Sequence, residues 1–292
     1  MSSKVCAIIV TYNSDIDAID NIRNVSGSVS KVIVVDNNSN DELKESLLSL
    51  DKLNNNISVH FLNENIGLSK AQNFAIKYAL KEGFNWFLML DDDSKLSNEF
   101  VSKMLAFYEQ EKKTEIGVIV PAIKDLNSGD YSKFIINSFP IQRKFPDEKV
   151  IYPLVAISSG MLINRDVFVN VGIMNEDFFI DYIDIDFSLR VSSQYKIAYC
   201  PNVVLYHKLG VKRKVKFLFF NITVSNHSSF RRFYIYRNRI KVWLRYFRKY
   251  PSYIVYEILV SVLEFFKILF FEKNKLKNLI SIVKGIVSGF KG

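Results

Sequence analysis

Cysteine is nearly absent from this chain. Cys6 and Cys200 are the only two in 292 residues. They show no metal-ligand spacing, which excludes a disulfide framework and a zinc site and fits a reducing compartment. Met1 to Lys4 runs straight into a strand-like segment with no cleavage site, so no signal peptide is expected and the protein reads as cytoplasmic. A long uncharged apolar run is missing as well. Pro251 to Phe271 is strongly apolar but carries Glu257, Glu264 and Lys267, charges too central for a stable bilayer span. Internal repeats, low-complexity segments and any recognised nucleic-acid module are absent.

The most uneven shortage is of acid. From Lys208 to Gly292 there are 19 Lys and Arg against 3 Asp and Glu, a balance of +16, while the first 207 residues hold 20 basic and 27 acidic groups, or −7. The net charge of +9 therefore belongs to the tail. A basic tail can bind nucleic acid, anionic lipid or an acidic substrate, and the Phe, Leu, Ile and Val interleaved with these cations favour lipid. Amphipathic helices lying in the membrane interface fit this composition, with a plain helical bundle packed on the catalytic domain as the competing reading. The shift near Lys208 sets the expected boundary, giving a first domain of 1–210 and a helical, membrane-surface region of 211–292.

What the chain does have is alternation. With 49% hydrophobic residues it can bury a full core. Strands are expected near 5–10, 31–35, 57–62 and 86–90, and helices near 15–25, 41–53, 67–82 and 97–112, which implies a mostly parallel sheet flanked by helices. The helix from Gly67 is the clearest, because Ala71, Phe74, Ala75, Tyr78 and Ala79 recur at helical spacing and Gly83 closes it. The stretch 134–150 reads as an irregular loop over a site.

Three of these strands release polar groups at their carboxyl ends, where open α/β sheets bind ligands. Val5 to Val10 ends at Thr11, Tyr12 and Asn13; Lys31 to Val35 ends at Asp36, Asn37, Asn38 and Ser39; Trp86 to Leu90 ends at Asp91, Asp92, Asp93 and Ser94. Three adjacent carboxylates repel one another, and a shared hard cation such as Mg²⁺ or Mn²⁺ relieves that repulsion. Side chains alternate along a strand end, so Asp91 and Asp93 point to one side and Asp92 to the other. A solvated acidic turn is the plainer alternative. Asp36 suits a base N–H or a ribose hydroxyl, or else it caps the next helix. Asn65, Gly67 and Lys70 open a helix whose amino end favours a diphosphate. Asp184, in the acid-rich stretch Asn175 to Arg190, is placed to be a general base, with helix capping as the competitor. His207 ends a strand-like run and is a legitimate ligand for Mn²⁺. His60 and His227 read as structural, with His227 near Arg231 and Arg232.

In order, Thr11-Tyr12-Asn13, Asp36-Asn37-Asn38-Ser39, Asn65-x-Gly67, Asp91-Asp92-Asp93-Ser94, Ser159-Gly160, Asp184-x-Asp186-x-x-x-Arg190, His207 and Tyr234-x-x-Arg237-Asn238 resemble the family 2 glycosyltransferases of the GT-A fold. Within that family the chain is most similar to the bacterial rhamnosyltransferase and galactofuranosyltransferase group. The resemblance implies a Rossmann-like, mostly parallel central sheet and an inverting, metal-dependent hexosyltransferase of surface polysaccharide (O-antigen or capsule) synthesis. It assigns the nucleotide sugar to Thr11, Tyr12, Asn13, Asp36, Asn65, Gly67, Lys70, Asp91 and Asp92. It assigns Mn²⁺ or Mg²⁺ to Asp91, Asp93 and His207, the base to Asp184, and acceptor contact to Asp181, Tyr182, Asp186 and Arg190.

The implied partners are a nucleoside-diphosphate sugar, a polyprenyl-diphosphate-linked glycan and the anionic inner face of the cell membrane, with no nucleic acid. Monomer or homo-oligomer stays open. dTDP-rhamnose is the favoured donor, with UDP-galactofuranose as the alternative because the middle of the Asp-x-Asp element is Asp92, where rhamnosyl enzymes commonly have Gln. A non-catalytic nucleotide-sugar or lipid binder is the rival of another class, and it has no use for the base.

Overall fold

A computed structural model describes residues 4–111, 115–208, 213–217, 220–225, 227–272 and 274–291. The expected domain boundary at 210/211 lies outside the described residues. Chain contacts divide the protein into two units, the first comprising Met1–Ile135, Arg143–Phe179 and Ile183–Lys208, the second Ile136–Gln142, Ile180–Tyr182 and Leu209–Gly292.

The first unit opens with β1 (Val5–Thr11), α1 (Asp17–Ser26), β2 (Lys31–Asp36), α2 (Asp41–Leu53), β3 (Ile57–Phe61), α3 (Leu68–Lys81) and β4 (Trp86–Asp91). The short β5 (Lys95–Leu96), α4 (Phe100–Glu111) and β6 (Ile116–Asp125) follow. At β7 (Phe134–Ile136) and β8 (Gln142–Lys144) the chain leaves and re-enters the unit, so the stretch expected to be irregular holds two short strands. The unit ends with β9 (Leu162–Asn164), α5 (Arg165–Asn170), α6 (Ile183–Val191) and β10 (Lys196–His207).

Eight strands join in the order β3-β2-β1-β4-β9-β6-β10-β5. β1 pairs in parallel with β2 and β4, and β10 in parallel with β6, while β9 runs antiparallel to both β4 and β6. Because β9 reverses direction twice across its two neighbours, β4 and β6 point the same way. The carboxyl ends of β1, β2, β4, β6 and β10 therefore share one rim.

Sequence explains the layers. β1, β2 and β4 are nearly continuous apolar runs and lie buried along their length, as strands covered on both faces must be. α2 turns Leu43, Leu47 and Leu50 inward, and Asn40 caps it by accepting the Leu43 N–H at 3.0 Å. Leu47 is wholly buried, so its truncation to Ala would cost about 2–5 kcal/mol. On α3, Ala71, Ala75, Ile76 and Ala79 pack on the sheet, while Phe74 is 41% exposed and flanks His60 together with Tyr78. α4 starts later than the expected residue 97 because Glu99 adopts a left-handed conformation (φ 57°), which breaks the helix there. β10 is interrupted between Tyr199 and Val204, where Pro201 cannot donate to the ladder and Asn202 has φ 64°. Beyond that irregularity the strand resumes and pairs His207 with Asp125. Both cysteines are free and buried, and burial pushes each thiol up to about 12.

The second unit holds the hairpin β11 (Arg213–Phe217) and β12 (Phe220–Val224), then α7 (Ser229–Tyr246), α8 (Pro251–Phe271) and α9 (Lys275–Phe290). α7 and α9 pack backbone to backbone: a Cβ on Gly285 would meet the Phe233 carbonyl at 2.5 Å, and one on Gly289 would meet Ile240 at 2.7 Å.

The acids of α8 turn inward. Arg232, fully buried, donates to Glu264 and Glu272, and Arg239 donates to Glu264 at 2.8 Å and to the Tyr182 hydroxyl at 2.5 Å. Tyr182 in turn donates to Glu257 at 2.7 Å. Burial alone would raise the Glu264 carboxyl, but Arg239 and Arg232 outweigh it and hold the group below the ordinary glutamate value. All three acidic residues of the last 85 are thus spent on two arginines. Among the described residues, no helix is long and apolar enough to cross a membrane.

Candidate active site

The rim at the carboxyl ends of the strands gathers the polar groups singled out in the sequence. Thr11 ends β1, Asp36 ends β2, Asp91 ends β4 and His207 ends β10. α6 packs on β10 and leads into its starting end, so its first turn, with Asp184, faces the same rim. The amino end of α3, which follows β3, belongs to that rim too.

The loops are stitched before any ligand arrives. Thr11 Oγ1 donates to Asp36 Oδ1 at 3.0 Å, and the Ser39 N–H donates to Asp36 Oδ2 at 2.9 Å. Asp36 is fully buried, so as built it shapes the turn after β2, and any ligand must use its remaining lone pairs. Ser39 Oγ accepts the Asn13 N–H and Asn13 Oδ1 accepts the Asn40 N–H, both at 2.9 Å. Asn37 Nδ2 donates to Asn65 Oδ1 at 2.9 Å, and Asn37 Oδ1 accepts the Ile66 N–H. Tyr12, 51% exposed, is the aromatic left facing outward from β1.

Gly67 is required twice over. Its φ is +87°, and a Cβ there would lie 2.6 Å from the Phe179 ring. The Leu68 N–H is bonded to the Phe179 carbonyl at 2.7 Å, which removes one of the α3 donors an anion would need; Lys70 is exposed beside it.

The three carboxylates divide, although only Asp91 belongs to β4 and the other two lie in the turn after it. Asp92 turns away, accepts from Ser14 Oγ, and has its carboxyl raised by burial, with the Asp93 charge adding and the Ser14 bond opposing. Its carbonyl accepts from Asn21 Nδ2 at 3.0 Å. Ser159 Oγ accepts the Asp91 N–H at 3.3 Å and shares a hydrogen bond of 2.7 Å with Ser94 Oγ, so the loop entering β9 pins the acidic turn.

Asp91, Asp93 and His207 converge, with one ligand atom from each lying within 4.8 Å of the others. His207 Nδ1 is 2.8 Å from Asp93 Oδ1, and its Nε2 is 3.5 Å from Asp91 Oδ2. Burial pulls the imidazole pKa down, but the Asp93 hydrogen bond and the charges of Asp91, Asp93 and Asp125 outweigh it and leave it raised. The ring thus lies between two carboxylates. Asp93 Oδ1 and His207 Nδ1 are buried and, apart from that mutual contact, have no well-aligned hydrogen-bond partner among the described residues. Two oxygen ligands and an imidazole, set this way, fit a hard divalent ion.

The residues expected at an acceptor are otherwise occupied. Asp186 is fully buried and pairs with Arg190 Nε at 3.0 Å, while the Arg190 guanidinium also holds the carbonyls of Val171 and Ile173 at 3.0 and 2.7 Å. Tyr182 is buried in the network of the second unit, and Asp181 forms a bidentate pair with Arg231. Asp184 is half-buried in the first turn of α6 and accepts the Ile185 N–H at 2.9 Å. His227 has its pKa lowered by burial and by Arg231 and Arg232.

Sequence reasoning passed over Ser14, Asn21 and Asn73. Asn73, buried on α3, donates to the Met174 carbonyl and to Glu176; a polar residue on the apolar face of a helix was its signal. A polar cavity of about 930 Å³ lies between α1 and the turn 94–99, but none of Asp91, Asp93, Asp184 and His207 lines it.

Residues 6–172 match the model of glycosyl transferase family 2. The chain is 30% identical over 299 residues to the dTDP-rhamnosyl transferase RfbF of Shigella flexneri, covering 100% of this chain and 97% of that protein. Among solved structures it is similar to GalNAc-T7 with UDP, GalNAc and Mn²⁺, at a TM-score of 0.61 and 14% identity over 86% of this chain, which spans only 49% of that protein. It is also similar to the mannosyltransferase PcManGT of Pyrobaculum calidifontis in complex with GDP-Man and Mn²⁺, at a TM-score of 0.57 and 11% identity over 98% of this chain and 73% of the other.

Proposed function

The chain belongs to glycosyl transferase family 2 and has the GT-A fold, and on that premise we propose that it moves rhamnose from dTDP-rhamnose to a hydroxyl of a lipid-linked glycan, with inversion at the anomeric carbon. The observation that carries the donor assignment is the end-to-end 30% identity to a dTDP-rhamnosyl transferase. The bacterial surface polysaccharide role and the acceptor anchored on a polyprenyl diphosphate belong to the same reading.

Asp91, Asp93 and His207 would hold a divalent cation, Mn²⁺ or Mg²⁺, whose charge neutralises the departing nucleoside diphosphate. His207 would serve there as a neutral imidazole ligand. Tyr12 offers a face to the base, and Thr11, Asn13, Asp36 and Asn65 keep the nucleotide loops in register. Lys70 adds positive charge near the diphosphate, and Asp92 braces the acidic turn through Ser14. Asp184 takes the proton from the acceptor hydroxyl as its oxygen attacks the anomeric carbon opposite the leaving group. One displacement inverts the centre.

The second unit supports membrane-surface contact as part of the same reading. Leu259, Leu263, Phe266 and Phe270 of α8 and Leu276, Val283 and Phe290 of α9 are each half or more exposed. With every acid of the tail paired to an arginine, the exposed apolar residues are accompanied by cations, which suits an anionic interface.

The test is a donor panel. The purified protein with a lipid-linked acceptor should release dTDP from dTDP-rhamnose, stop in excess chelator and recover with Mn²⁺. Preferential turnover of UDP-galactofuranose would overturn the donor assignment.

A further inference from the structure

One motif of the sequence, Tyr234-x-x-Arg237-Asn238, has no part in the chemistry above. In the structure it explains an oddity two residues ahead of Asp184. Asp181 and Tyr182 are consecutive non-glycine residues in the left-handed region, with φ of 63° and 64°. Successive left-handed residues with a Cβ are disfavoured and persist only where their surroundings over-determine them. Here three side chains of α7 do so. Asn238, fully buried, donates both protons of its Nδ2 amide, to the carbonyl of Ile180 at 2.9 Å and to that of Asp181 at 3.0 Å. Arg231 forks the Asp181 carboxylate at 2.8–3.2 Å, and Arg239 holds the Tyr182 hydroxyl. The chain then passes without a break into Ile183 and Asp184, the first turn of α6.

We propose that Asn238, supported by Arg231, is a positioning residue for Asp184: by clamping the carbonyls of Ile180 and Asp181 it holds the left-handed backbone of the two residues that lead into Ile183 and Asp184, and through that backbone it steadies the carboxylate. The proposal rests on the reading of Asp184 as base. Asparagine is the residue that suits the task, because its short amide offers two donors to two adjacent carbonyls while a carboxylate of the same shape offers none. Without the clamp the pair relaxes toward right-handed conformations, and the backbone just ahead of Asp184 is no longer held. A displacement of about 1 Å at a reacting group can cost on the order of 100-fold in rate.

The experiment uses the full chain. Asn238→Asp keeps the shape and removes both donors. Expected are a 10- to 100-fold fall in kcat for transfer from dTDP-rhamnose, dTDP affinity in the presence of Mn²⁺ unchanged within twofold, and no further loss when Asn238→Asp is added to Asp184→Asn. A kcat within twofold of the parent, or an equal fold-loss in the Asp184→Asn background, would overturn the proposal. Should Asn238→Asp fail to fold, Arg231→Gln carries the test, since its side chain is 46% exposed and its loss leaves the core intact. A several-fold drop in kcat at constant dTDP affinity is expected for it, and unchanged kcat would count against the clamp. Parent-level turnover by Asp184→Asn alone would remove the base assignment and this proposal together, whereas a dead Asp184→Asn beside an unaffected Asn238→Asp would remove the proposal only.

Discussion

Arg232→Met should destabilise the second unit by about 3–5 kcal/mol, the range for breaking a buried ion pair from one side. The reasoning follows each carboxylate left behind. Arg232 is wholly buried and donates to Glu264, Glu272 and Ser225 Oγ. Glu264 keeps Arg239 at 2.8 Å, so it remains paired. Glu272 does not: its side chain is 2% exposed and, among the described residues, retains only the Asn278 amide at 3.2 Å. One carboxylate is stranded, and its desolvation sets the loss. Adding Glu272→Gln removes that charge, so the double variant should recover more than half of the stability. Urea unfolding followed by Trp243 emission, in a Trp86→Phe background, reads the unit that contains the network. A loss below about 1 kcal/mol, or a double variant no more stable than Arg232→Met, would refute an account built on one stranded charge.

Other outcomes follow from the same geometry. Asp184→Asn should lower transfer by about 10²–10⁴-fold, the usual worth of a positioned base, while dTDP-rhamnose binding stays within about twofold by calorimetry. Asp93→Ala should abolish the Mn²⁺ dependence of nucleotide binding, and calorimetry with and without the metal checks it. Because Glu264 is held below its ordinary value, it adds stability that is complete above the unfolded carboxylate range and lost as pH falls through its folded value. Urea midpoints should therefore drop below about pH 4, and less steeply in Glu264→Gln. Leu259→Glu with Leu263→Glu should reduce co-sedimentation with anionic vesicles several-fold and leave turnover of a soluble acceptor analogue unchanged.

Much of the first unit was legible because parallel strands announce themselves as apolar runs ending in polar residues. Thr11, Asp36 and Asp91 could be placed on one rim from that pattern alone, whereas Asp92 and Asp93 lie in the turn after β4, so strand alternation does not account for how the three carboxylates divide. Asp186, Arg190, Asp181 and Tyr182 were less legible, for the opposite reason. A sequence shows that a polar group exists but not which partner it meets, and each of these four meets one within the protein. The same holds for Glu257 and Glu264, read as obstacles to a membrane span. Their seven-residue spacing, matched by that of Arg232 and Arg239, was a visible sign that two helix faces complement each other.

The reversed strand β9 has a consequence for how such enzymes diversify. β6 exits at the rim that holds the acids and β9 begins there, so the intervening chain departs from and returns to a single border of the sheet. A segment anchored in this way behaves as a cassette. Its middle can lengthen or shorten without reordering any strand of the eight-stranded sheet, provided that Ser159, which pins the acidic turn from its far end, is kept.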